Sequence, residues 1–236
     1  MTIHNRDSFL GNVAKQLNRP RRTEKVEKPV WDFNPQKEVF KDLSLDDLVN
    51  VLEIQCKNVH TGFKRTNSAQ LTETLKEALI ENNAKKIVTA DDSRHDEFNV
   101  RGLFDTLTME GSDVHYWDPN LGKENQIIAE RADVGITYSD ITLAESATVG
   151  QFNNKNNSRT ISLLPQTYIA IIPKSTLVPR LTQATQMIHQ KVENNEQIPS
   201  CISFISGPSN SGDIEMILIV GVHGPVKATY ILVEDM

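Results

Sequence analysis

From residue 68 to residue 137, short apolar runs alternate with helical patterns of about ten residues, and this restricts the fold more than any other feature of the chain. Residues 68–82 carry Leu71, Leu75, Ala78 and Leu79 on one helical face and stop at Asn82 and Asn83. A short strand follows over 86–90 (KIVTA), then a helix over 100–109, a strand over 113–117, a helix over 123–131 and a strand over 133–137. Strands separated by single helices pair in parallel, through right-handed crossovers. The expected core is therefore α/β, with a mainly parallel sheet covered by helices.

The flanking segments are read in the same way. Residues 4–18 place Phe9, Leu10, Val13, Ala14 and Leu17 at helical spacing, and Pro20 ends that helix. Residues 19–35, with Arg19, Arg21, Arg22, Lys25, Lys28 and three prolines, read as a solvated linker. A chain of 236 residues buries one substantial core. The expected division is thus an N-terminal helix and linker over 1–35 and one main domain over 36–236. Residues 39–59 give one or two helices, with Ser44 and Asp47 as a capping pair. In the second half, strands are expected over 141–149, 160–164 and 168–172, close enough to pair antiparallel. A helix over 176–192, a buried apolar element over 216–222 and a strand over 227–233 complete the pattern, with QFNNKNNS (151–158) as an exposed hairpin tip.

Composition excludes several classes. The net charge of −6 argues against a nucleic-acid surface. No segment approaches the roughly 20 apolar residues of a membrane span, and the N-terminus has no apolar signal region, so a cytoplasmic protein is expected. Cys56 and Cys201 lie far apart and the histidines are scattered, so no iron–sulfur or zinc site can be assembled from this chain alone. No metal or cofactor is expected in it.

Three constellations offer chemistry. In the first, Glu145 stands among Ala144, Ser146, Ala147 and Thr148, where burial would bring a carboxylate into the acid/base range. In the second, GPSNSGDIE presents Gly207, Ser209 and the amides beyond them, suited to a carboxylate or phosphate, with Asp213 and Glu215 following. In the third, His223 in GVHGP, beside Gly224, supplies an imidazole that can act as acid, base or ligand. Each has a plainer reading: a surface glutamate, a turn with capping acids, and a histidine bonded to a backbone carbonyl.

Taken together, GPSNSGDIE, GVHGP, VGITYSDITLAES, ISFISGP and the pair ISLLP and YIAIIP resemble the LUD domain family over about residues 39–233. The resemblance implies a NagB/RpiA/CoA transferase-like sandwich with a mainly parallel sheet, plus an N-terminal helical arm. It also implies a role in oxidising L-lactate to pyruvate beside two cluster-bearing lactate utilization proteins, which would hold the iron–sulfur clusters. A small anionic ligand such as lactate is then expected here. On this reading Glu145 and His223 are catalytic, while Gly207, Ser209, Asp213, Glu215 and Gly224 bind substrate. Where the family often has GITGAD and AETGT, this chain has Tyr138-Ser139-Asp140 and Glu145-Ser146-Ala147-Thr148. Two other readings stand beside it. One is a stand-alone sugar-phosphate isomerase or CoA-transferase-like enzyme working through Glu145. The other is a non-catalytic scaffold or regulator whose N-terminal helix docks on partners or pairs copies of the chain.

Overall fold

The computed structural model describes residues 4–24, 27, 29–212 and 219–236. The chain divides into two units, Met1–Pro35 and Gln36–Met236. In the first, α1 (Arg6–Gln16) carries Asp7 in its first turn and Lys15 in its last, each complementing the helix dipole. Asp7 also pairs with Arg21. Only Ala14 of the helix is buried; Phe9 is 65% exposed.

After α2 (Pro35–Glu38), the second unit opens with α3 (Leu45–Asn58), β1 (Gly62–Thr66), α4 (Leu71–Glu81), β2 (Lys86–Thr89), α5 (Arg94–Glu97) and α6 (Val100–Met109). It continues through β3 (Asp113–Tyr116), α7 (Glu124–Glu130), β4 (Val134–Tyr138), β5 (Ile141–Leu143), β6 (Thr148–Asn153), α8 (Thr160–Leu163) and β7 (Thr167–Pro173). It closes with β8 (Leu177–Val178), α9 (Leu181–Glu193), β9 (Cys201–Ser206), β10 (Asn210–Ser211), β11 (Ile219–Val220) and β12 (Lys227–Val233).

Six strands form a parallel sheet in the order β1-β12-β7-β4-β2-β3, the α/β architecture anticipated from the alternation. From β2 the chain steps outward to β3 and then returns to place β4 on the other side of β2. Connections leave those two strands in opposite directions, so a crevice opens at their carboxyl ends. A second sheet, β8-β5-β6-β9, packs on one face.

Burial explains why the strands have the sequences they do. Along β7, Ile169 and Ile171 join Leu71, Leu75 and Phe104 of α4 and α6. Tyr168, Ala170 and Ile172 instead meet Leu48, Val49, Leu52 and Cys56 of α3. The start of α3 is the anticipated capping box: the Asp47 N–H donates to Ser44 Oγ at 3.2 Å, and the Ser44 N–H donates to the Asp47 carboxylate at 3.0 Å.

The second half departs from the sequence reading. Residues 160–164, expected as a strand, begin with α8, where the Thr160 N–H donates to Ser158 Oγ at 3.3 Å and Pro165 blocks continuation. Residues 141–149 are not one strand; β5 turns back on β6, and the two pair antiparallel. Residues 168–172 do not pair antiparallel, since β7 runs parallel between β4 and β12 and is buried along its whole length. The helix expected from 176 begins only at Leu181, since β8 precedes Pro179 in extended backbone. QFNNKNNS is not an exposed tip: Gln151 and Asn153 continue β6 and are buried, as is Asn157. Of the apolar run 216–222, Ile219 and Val220 form the exposed β11, and 216–218 lie outside the described residues.

Candidate functional site

The turn between β5 and β6 presents Glu145, whose carboxylate accepts the Arg180 Nε–H at 2.6 Å. Both side chains are about a third exposed, 39% and 27%. Ala147 sits in the left-handed region at φ 46°, a conformation that glycine adopts more readily than a residue with a side chain. From this turn a line of hydroxyls runs across the sheet, Ser146 Oγ to Thr148 Oγ1 at 2.7 Å and on to Ser206 Oγ at 2.6 Å. The register Thr148↔Ser206 thereby brings the Glu145 turn beside the residue that precedes Gly207.

Gly207 adopts φ +70°, and a Cβ there would stand 2.7 Å from both the Val59 carbonyl oxygen and Thr61 Oγ1. Its N–H donates to the Tyr230 hydroxyl at 3.0 Å, which in turn donates to the Ile205 carbonyl at 3.0 Å. The Ser209 N–H donates to the Pro225 carbonyl at 2.9 Å, and Ser209 Oγ accepts the His223 N–H at 3.2 Å. Gly224 packs against Ser209, leaving 3.3 Å for a Cβ. Ser209 is therefore held against His223, Gly224 and Pro225. The His223 imidazole is exposed, and no hydrogen bond or ion pair among the described residues joins it to Glu145. Asp213 and Glu215 lie outside the described residues.

A second polar cluster stands where β2 and β4 end. Arg94 donates from Nε to Asp92 at 2.9 Å, and from its NH2 nitrogen to Asp92 at 2.6 Å and Asp140 at 3.2 Å. Its guanidinium lies over the Tyr138 ring, 4.5 Å from the centroid. The Asp140 carboxylate also accepts the Phe152 N–H at 2.7 Å. Burial raises the Asp140 carboxyl above the usual range, against the opposing pull of Arg94. Burial acts on Asp92 too, but there the hydrogen bonds and charge of Arg94 win and hold it below that range. Beneath them His95 is fully buried, with Nε2 donating to the Ala90 carbonyl at 3.0 Å. This cluster was missed from sequence. Its signal is the polar Asp91, Asp92, Ser93, Arg94 and His95 directly after an apolar strand, matched by Ser139 and Asp140 after another.

Among the described residues, no group of three or more His, Cys, Asp or Glu side chains is placed to hold a metal ion. Cys56 is buried, and burial pushes its thiol up to about 12. No helix among the described residues is long and apolar enough to cross a membrane.

The family model described as LUD domain matches residues 49–233. A protein named lactate utilization protein C from Oceanobacillus iheyensis is 53% identical over 234 residues, covering 99% of this chain and 100% of that one. One of the same name from a Geobacillus species is 53% identical over 235 residues, 99% of this chain and 98% of that one. Among solved structures, a DUF162 family protein from Deinococcus radiodurans aligns with a TM-score of 0.57 at 17% identity, covering 81% of this chain and 99% of that one. That likeness is one of fold.

Proposed function

The chain belongs to the LUD domain family, and from that premise we propose that it is a subunit of a multi-protein system oxidising L-lactate to pyruvate. One observation carries the reading: relatives named lactate utilization protein C match it from end to end at 53% identity. Lactate gives up two electrons and two protons on becoming pyruvate. In this proposal the electrons pass to iron–sulfur clusters in two partner proteins in the cytoplasm, and this chain binds the substrate.

The proposed lactate site is the end of the second sheet that carries Glu145. Arg180, paired with Glu145, presents a planar guanidinium suited to a carboxylate, and the hydroxyls of Ser146, Thr148 and Ser206 run from the same turn. Glu145 and His223 are proposed as the groups handling the substrate hydroxyl proton, with Gly207, Ser209 and Gly224 shaping the loop between them. Asp213 and Glu215, which lie outside the described residues, are kept as proposed substrate contacts. The proposed LUD domain spans 36–236, and the helix of residues 1–35 serves assembly with partners or a second copy.

Deleting the gene and growing the strain on L-lactate as sole carbon source tests the role. Growth at the parental rate, with no second copy present, would sink it. Reconstituting lactate oxidation from the two cluster-bearing proteins, with and without this chain, tests the complex. Turnover of a sugar phosphate or CoA ester by the purified chain alone would favour a stand-alone enzyme instead.

A further inference from the structure

We infer that the opposite end of the second sheet holds a separate site for a nucleotide, a planar base joined to phosphate. Strands β6 and β9 pair Thr148 with Ser206 at the Glu145 end and Asn153 with Cys201 at the other. At about 3.4 Å per residue the two ends lie roughly 17 Å apart. At the Asn153 end is a groove of about 1210 Å³, lined by residues that include Trp117, Asn153, Lys155, Arg159 and Cys201. It adjoins the crevice between β2 and β4: the Asp91 N–H donates to the Asn156 carbonyl at 3.0 Å, and Phe152, another lining residue, donates to Asp140. Open parallel sheets take their ligands at that position.

Three features give the ligand its chemistry. The lining includes Lys155 and Arg159 but no Asp or Glu, in a chain of net charge −6. Neither cation forms an ion pair among the described residues, so both are available to phosphate. Trp117 lines the groove while braced by the cluster that includes Val88, Ala90 and Ile161, a fixed aromatic surface for a base. Asn153 is only 8% exposed; its Nδ2 donates to Ser203 Oγ at 2.9 Å, while its Oδ1 has no partner among the described residues. A buried acceptor of this kind calls for a donor from the ligand, such as the amino group of a base. Lactate has no ring and uses neither Trp117 nor the breadth of the groove.

The test uses the full chain with ADP as probe. Trp31 and Trp117 are its two tryptophans, and Trp31 is 68% exposed, so Trp31→Phe leaves Trp117 as the reporter. ADP should quench its fluorescence saturably, with adenosine and inorganic phosphate each binding at least about tenfold more weakly. Lys155 and Arg159 are exposed, and Lys155→Ala with Arg159→Ala should preserve the circular dichroism spectrum while weakening ADP roughly 100-fold, about tenfold per lost contact. The assignment is overturned by absence of saturable quenching at millimolar ADP, by unchanged affinity in the double variant, or by phosphate binding as tightly as ADP. Because the groove and the Glu145 turn lie at opposite ends of the sheet, loss of ADP binding leaves the lactate proposal standing, and the converse holds.

Discussion

Tyr230 is wholly buried, yet its hydroxyl ties the Gly207 N–H to the Ile205 carbonyl. Tyr230→Phe leaves both backbone groups without that partner and should lower stability by about 1–3 kcal/mol in urea unfolding. An unchanged midpoint would mean the loop is held by other contacts. Glu145 behaves differently, because its pair with Arg180 is partly solvated. Glu145→Gln should cost less than about 1 kcal/mol. Under the proposed function it should nonetheless depress lactate oxidation by the reconstituted system, and full activity would remove Glu145 from the site. His95 supplies a pH dependence: burial holds its imidazole down at about 4, against an ordinary value near 6.5. The folded-state value lies below the unfolded one. Stability tied to the neutral ring is therefore complete above about pH 6.5 and is lost as pH falls toward 4, by about 3 kcal/mol. Urea midpoints between pH 7 and pH 4.5 should fall less steeply in His95→Gln than in the parent protein.

At the scale of elements, α8 decides how the strands beside it are built. A Cβ on Gly135 of β4 would lie 1.8 Å from the Ile161 carbonyl oxygen, so α8 rests directly on the bare backbone of that strand. Gly135→Ala should therefore cost at least about 1–3 kcal/mol by forcing backbone to move, read as a lowered thermal midpoint. Wild-type stability in that variant would show that α8 shifts freely. Both helices and strands of the alternating stretch were legible in the sequence, and β2, β3, β4 and β12 form close to where their apolar runs lie. Those carrying a cap and a periodic apolar face, such as α3 with Ser44 and Asp47, form close to where their pattern lies. By contrast α8 is a single turn, Thr160-Ile161-Ser162-Leu163, and its alternating pattern does not separate it from a strand.

For the whole molecule, the last strand is the one that completes the sheet. β12 lies between β1 and β7, and Ala228 to Val233 are buried throughout. Removing residues 227–236 opens a gap at the centre of the core. The truncated chain should show no cooperative thermal transition, and retention of one would contradict the sheet order. The sequence by itself determined the class of fold, since alternating strand and helix patterns can bury their apolar faces only around a parallel sheet. It also placed Gly207, Ser209, His223 and Gly224 in loops, because small residues and proline break regular structure locally. Tertiary structure alone decided the strand order, the pairing of Glu145 with Arg180, and the meeting of Arg94 with Asp140 across two strand ends. The physical reason is range: these contacts join residues far apart in the chain, and the energy selecting them comes from packing whole layers together.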